Sequence, residues 1–126
     1  MKFLVVDDSR IARVRICDYV NKLGYEVVGE ACDGIEAIEK YKELLPDMIT
    51  IDLEMPNMKG IEASKEILKL NPNINIILVT SIIDKKEVIN GLKIGIKKVI
   101  QKPFTFEHFE TKVNELKEGA FANEYK

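Results

Sequence analysis

The feature that most limits what this chain can fold into is an alternation. Short β-branched runs recur along its 126 residues, separated by longer stretches whose apolar residues follow a helical period. The runs fall at 2–7, 26–31, 47–52, 74–80 and 97–101, and three of them, FLVVD, MITID and INIILVT, are apolar almost without a break. A strand with one wet face alternates apolar and polar residues. A strand with no polar face must be covered on both sides, as the central strands of a parallel sheet are. The intervening stretches supply the cover. Ala12, Ile16, Tyr19, Val20 and Leu23 form one stripe, and Ile35, Ile38, Tyr41 and Leu45 a second. Ile61, Ile67, Leu68 and Leu70 mark a third helix over 60–70, and Phe106, Phe109, Val113 and Leu116 a fifth that starts after an N-cap at Thr105. Asp33 with Glu36, and Asp84 with Glu87, read as capping boxes opening the second and fourth helices; Gly24 and Gly95 stand where left-handed C-caps are wanted, and Pro46 and Pro72 end what precedes them. The period fades from Glu118, so 1–118 reads as the folded domain and 119–126 as a C-terminal tail, with Ala120, Phe121 and Tyr125 either docking back or fraying.

Five strand–helix units joined by short connections predict an α/β, doubly wound (βα)5 sandwich built on one parallel five-stranded sheet. Right-handed crossovers leave few arrangements of such a sheet, and ligands bind beyond the carboxyl ends of its strands. One domain is what this length supports. Nineteen basic against twenty-one acidic residues, a formal charge of −2, give no global attraction to nucleic acid or to an anionic membrane. No apolar run approaches the ~20 residues of a membrane span, and the start MKFLVVDDSR turns acidic too early for a signal peptide, so the cytoplasm is the expected location. Cys17 and Cys32 lack metal or redox spacing and read as reduced, buried thiols. His108, the single histidine, falls in the terminal helix and reads as solvated, which leaves an all-protein zinc or di-iron site without its usual ligands.

The strand ends are where the unusual residues gather. Asp7 and Asp8 follow the first run, Asp52 the third, Thr80 and Ser81 the fourth, and Lys102 with Pro103 the fifth. Taken singly each is ordinary: an acidic pair before a helix is often a cap, and a Lys-Pro step is usually a turn. Placed together on one rim, three carboxylates need a compensating cation, and hard oxygen ligands with room for water favour Mg2+ over Zn2+. A carboxylate nucleophile, a divalent ion and donors for equatorial oxygens are what phosphoryl transfer to a protein side chain requires. Asp52, at the end of the central strand and followed by a loop with Pro56 and Gly60, is the best nucleophile; Glu54, two residues into that loop, points outward.

The segments VVDDS at 5–9, IDLEMPNMKG at 51–60, VTS at 79–81 and KPF at 102–104 resemble the receiver domain of two-component response regulators, specifically the single-domain, CheY-like kind, over essentially the whole chain. The resemblance implies the flavodoxin-like strand order 2-1-3-4-5 and a phosphorylation-dependent switch. It makes Asp52 the phosphoacceptor for a phosphohistidine on a CheA-like sensor histidine kinase. Asp8 then ligates Mg2+ directly and Asp7 through water, with Asp52 and the backbone carbonyl of Glu54 completing the set. Lys102 contacts the phosphoryl group, Thr80 is the switch hydroxyl, the Lys102-Pro103 bond is cis, and the only catalysis is self-phosphorylation from a donor and slow hydrolysis of the acyl phosphate. As a point charge, Lys102 can pair with Asp52 at rest and with phosphoryl oxygens later.

Two positions depart from the family. Val99 stands where many receivers carry the aromatic switch residue, so the loop from Ser81 to Lys85 is expected to carry more of the change, and Ser81 replaces a common alanine. Glu54 and Ile82 occupy the positions that tune hydrolysis. The family reads out phosphorylation on the face of the fourth helix, fifth strand and fifth helix. Lys85, Lys86, Lys93, Lys97 and Lys98 cluster there against Asp84 and Glu87, either as a solvated face or as a docking surface for an acidic segment of a downstream protein. A monomer acting by protein contact in motility or chemotaxis is the first reading; a phosphorelay intermediate or a receiver cut from a larger regulator is the alternative. A haloacid-dehalogenase-like phosphatase also uses Asp, Thr, Lys and Mg2+, but it needs a second Asp where Glu54 stands and a cap insertion. A flavin-mononucleotide binder is disfavoured because the glycine-free loop DDSRIAR repels phosphate unless metal intervenes.

Overall fold

A computed structural model describes residues 1–81 and 84–123, the side chains of 118–123 excepted. The elements alternate as β1 (Lys2–Val6), α1 (Arg10–Lys22), β2 (Glu26–Ala31), α2 (Gly34–Leu44), β3 (Met48–Ile51), α3 (Gly60–Leu70), β4 (Asn75–Thr80), α4 (Lys85–Ile94), β5 (Lys98–Gln101) and α5 (Phe106–Asn123). All neighbouring strands pair in parallel, in the order β2-β1-β3-β4-β5. The twofold period of a strand sorts the core into two layers. Leu4, Val6, Ile49, Ile51, Ile76 and Leu78 face α2 and α3 residues such as Ala37, Tyr41 and Ile67. Phe3, Val5, Met48, Ile77 and Val79 face Ile16 and Val20 of α1 and Phe109, Val113 and Leu116 of α5. Both faces of β3 and β4 are therefore dry, as their unbroken apolar runs require.

Helix ends follow local chemistry. Asp33 accepts from the Glu36 amide at 2.8 Å and Thr105 from the His108 amide at 3.1 Å. Asp84 caps α4 through the amide of Lys86 at 2.9 Å rather than that of Glu87. Gly24 and Gly95 take positive φ of 82° and 119°, where a side chain is strained. The cap of α1 is Ser9, whose hydroxyl accepts from the Ala12 amide at 3.2 Å. That frees the acidic pair before it from the capping role.

Several expectations need correction. Leu45 is not on the buried stripe of α2; it is the left-handed C-cap, at φ 45°, and is exposed because the chain has already turned off the helix face. Ile35 and Leu70, at or next to the ends of α2 and α3, are exposed too. Cys32 is exposed and Cys17 only half-buried, since β2 is an edge strand and Cys32 lies just past its end. Burial is still the first cause that lifts the Cys17 thiol, to about 11. Helix α5 continues to Asn123, into the stretch read as a tail. Tyr125 lies outside the described residues. His108 is exposed.

One helix is seated differently from the rest. The only fully buried residue of α4 is Gly91, where a Cβ would lie 3.1 Å from Ile61 and Ile96; Ile94 packs at the margin of the core, while Ile89 and Leu92 are exposed. Among the described residues no helix is long and apolar enough to cross a membrane.

Candidate functional site

Register builds the site. Val6 of β1 pairs with Ile51 of β3, so Asp7 and Asp52 leave adjacent strands at the same level. One carboxylate oxygen from each of Asp7, Asp8 and Asp52 falls within 4.8 Å of the others. Asp7 is 1% exposed and Asp52 8%, whereas Asp8 faces solvent. On the far side of the sheet's centre, Thr80 pairs with Gln101, and the Lys102 amide donates to the Thr80 carbonyl at 2.9 Å. The next bond, Lys102-Pro103, is cis. From there the Lys102 ammonium reaches Asp7 Oδ2 at 2.6 Å and Asp52 Oδ2 at 3.5 Å.

Lys102 thus pairs with Asp52 as expected, and at shorter range with Asp7 as well. The deeper carboxylate has less water to replace the cation, so it takes the shorter bond. Asp7 is held at its other oxygen as well, where Oδ1 accepts from the Ser9 amide at 2.9 Å. Asp52 is left less satisfied. Burial foremost, then the neighbouring Asp7 charge, raises its pKa above the ordinary carboxylate value, and Lys102 only partly opposes them.

The sign of that shift predicts a stability effect. A carboxyl whose folded pKa is raised stabilises the fold only while protonated, and that contribution is lost as pH rises through the folded value. At neutral pH the ionised Asp52 therefore costs stability in metal-free buffer. Asp52→Asn is expected to raise stability there by on the order of 1 kcal/mol. Urea unfolding in chelator at pH 7 checks this, and the gain should shrink as pH falls into the acid range.

The donors fit a hard divalent cation: three carboxylates on one rim, two of them buried, with a single ammonium between them. Glu54 is exposed, two residues after Asp52. Gly60 lets this loop pass so close to β3 that a Cβ there would strike the Asp52 carbonyl oxygen. Asn57, at φ 68°, ties the loop down by donating to Asp33 Oδ2 at 2.8 Å. That bond, after the Glu36 amide, keeps the Asp33 pKa low.

Other expected residues take varied positions. Thr80 is buried at the end of β4. Ser81 is exposed and lines a cavity of about 300 Å³ with Ala12, Ile16, Lys102, Pro103 and Phe104. Val99 pairs with Leu78 and packs against the core, filling its position as an ordinary aliphatic. Ile82 and Ile83 lie outside the described residues, so the 81–85 loop is seen only at its ends. Lys85, Lys86, Lys93 and Lys97 are exposed. Lys98 leaves the basic patch: its ammonium lies 3.2 Å from Glu115 of α5, which also meets Lys112 at 3.3 Å. Both contacts depress the Glu115 pKa, that with Lys98 first. Glu87 lies 3.9 Å from Lys59.

Sequence reasoning missed Ser9, Arg13 and Asn57. A serine just before a helical stripe is a legible N-cap. Nothing in a periodic pattern announces what a half-buried arginine or a loop asparagine will bond to.

A family model described as the response regulator receiver domain matches residues 3–114. The chain is 48% identical over 103 residues to the chemotaxis protein CheY of Thermotoga maritima, covering 82% of this chain and 86% of that protein. To the CheY of Bacillus subtilis it is 40% identical over 113 residues, covering 90% and 94%. A CheX-CheY-BeF3-Mg2+ complex from Borrelia burgdorferi resembles it in structure, with a TM-score of 0.85 and 28% identity, covering 96% of this chain and 89% of that one.

Proposed function

The chain belongs to the response regulator receiver family, a phosphorylation-dependent switch of two-component signalling, and we propose that Asp52 is the residue it phosphorylates, within a chemotaxis pathway. The observation that carries the assignment is the convergence of Asp7, Asp8 and Asp52 with the Lys102 ammonium bridging two of them. The relatives named chemotaxis protein CheY support the pathway.

The chemistry runs from the charges. Asp7 and Asp8, with Asp52 and the Glu54 carbonyl, would hold Mg2+. Once bound, the ion supplies Lewis-acid neutralisation of the oxygens that carry charge during transfer. An Asp52 carboxylate oxygen attacks the phosphorus of a phosphohistidine on a CheA-like sensor kinase. The new P–O bond forms as the P–N bond breaks, and the imidazole leaves with the electron pair and gains a proton. Lys102 lies within reach of Asp52 and exchanges a carboxylate partner for a phosphoryl oxygen. Thr80, at the adjacent strand end, offers its hydroxyl to another. Beyond self-phosphorylation and slow hydrolysis, we assign the chain no enzymatic activity.

Output passes by protein contact, through the face of α4, β5 and α5, to a partner with an acidic docking segment; the protein acts as a cytoplasmic monomer. Binding of CheX by the Borrelia CheY supports protein contact as the mode.

Incubation with Mg2+ and acetyl phosphate, followed by intact mass, tests the assignment. The expected result is one phosphoryl group on the wild type, none after chelation of the metal, and none on Asp52→Asn. Normal incorporation into the Asn variant, or none into the wild type, overturns it.

A further inference from the structure

We propose that Arg13, which touches none of the three carboxylates of the rim, is a positioning residue for the divalent-cation site. The inference rests on the reading of Asp7, Asp8 and Asp52 as that site. Arg13 is the fourth residue of α1, and its guanidinium turns back toward the end of β1 instead of out to solvent. Its Nη1 donates to the main-chain carbonyl of Asp7 at 2.7 Å, while its Nε donates to Glu30 Oε1 on β2 at 3.1 Å. The side chain is 18% exposed, against 49% for Glu30.

The carbonyl it grips belongs to the peptide between Asp7 and Asp8. That peptide's orientation decides where the Asp8 side chain leaves the backbone. Asp7 has independent anchors, from Ser9 and Lys102 on its carboxylate and from the bond of its own amide to the Ala31 carbonyl at 3.0 Å. Asp8 is exposed, and its carboxylate reaches the rim through the backbone that bears it. A planar fork that spans a carbonyl on one strand and a carboxylate on the next locks this peptide in a way a lysine cannot. Glu30 in turn holds the guanidinium against β2, so the cation site is braced by a strand that gives it no ligand.

Charge and geometry predict opposite signs here. Arg13 brings a positive charge close to a cation site, so if charge were all it contributed, its removal would tighten Mg2+ binding. If it positions Asp8, its removal loosens binding, since the residues behind a metal's ligands commonly govern affinity by an order of magnitude or more.

The experiment is calorimetric titration of the unphosphorylated full chain with Mg2+, for wild type, Arg13→Gln, Arg13→Lys and Glu30→Gln. Urea unfolding in chelator runs beside it to establish that each variant is folded. Expected are about tenfold weaker Mg2+ binding by Arg13→Gln, a similar loss by Arg13→Lys, which keeps the charge but not the fork, and a smaller loss by Glu30→Gln. In metal-free Arg13→Lys the backbone amide shift of Asp8 should move while those of β4 stay. Unchanged or tighter Mg2+ binding by folded Arg13 variants overturns the positioning role and leaves the site assignment standing. If the wild type binds no Mg2+, the site assignment itself fails, and this inference with it. Should Arg13→Gln not fold, the Arg13→Lys and Glu30→Gln titrations decide the matter.

Discussion

Lys102→Ala is expected to lose stability steeply in metal-free buffer and to regain most of it when Mg2+ is added. The ammonium lies 2.6 Å from a carboxylate that is 1% exposed and 3.5 Å from a second that is also buried. Removing one partner of a buried ion pair leaves an uncompensated charge, which typically costs about 3–5 kcal/mol. Lys102 is itself partly exposed, at 21%, so water re-entering its place reduces this to roughly 2–3 kcal/mol. The pH dependence follows from Asp52. Its carboxyl is already raised by burial and by Asp7, and Lys102 is the main influence lowering it. Without Lys102 its folded pKa climbs further above the unfolded one, so the deficit is small where Asp52 is protonated and grows as pH rises through that value. Urea titrations from pH 4 to 8, with and without Mg2+, measure it. The same variant should still take up phosphate on Asp52 from acetyl phosphate, since the nucleophile remains, yet fail to shift the amides of α4 and β5. A loss of stability that is independent of both pH and Mg2+ would refute the electrostatic account.

The second large effect comes from a missing methyl group. Gly60 donates its amide to the Leu53 carbonyl at 3.0 Å, and any Cβ there would strike the Asp52 carbonyl oxygen and come within 2.9 Å of its carbon and 3.2 Å of the Leu53 Cα. All three are backbone atoms of the segment that carries the nucleophile. Nothing flexible can yield. Gly60→Ala is expected to cost about 2–4 kcal/mol, read as a drop in the urea midpoint. Because relief of the clash displaces the Asp52 peptide, phosphoryl incorporation should slow even at temperatures where the variant is folded. A variant that unfolds like wild type would show that the loop has room the geometry denies it.

How far these sites were legible depends on what kind of signal carried them. The apolar runs of β3 and β4 place those strands at the centre of the sheet, and the sheet's parallel register then brings Asp7, Asp52, Thr80 and Lys102 to one rim. Periodicity reaches that far because burial is what it measures. It fails where burial and structure part, as at Leu45, whose left-handed cap turns it outward. Ion-pair partners are another matter. That Lys102 prefers Asp7 over Asp52 depends on differences of an ångström, and that Lys98 is taken by Glu115 depends on how α5 crosses β5. Arg13 belongs with these, since its acceptor is a main-chain carbonyl that every sequence possesses.

The shallow seating of α4 bears on how strongly a phosphoryl group must act. Inverting an equilibrium from 1:99 to 99:1 takes about 5.5 kcal/mol of preference for one state, a large demand on a few hydrogen bonds at a strand end. Helix α4 buries only Gly91 fully and sets Ile94 at the margin of the core, so it has less packing to forfeit on moving than the helices that bury large side chains. The less a helix holds on to its sheet, the smaller the covalent change needed to redistribute it, and α4 fully buries fewer residues than any of α1, α2 and α3.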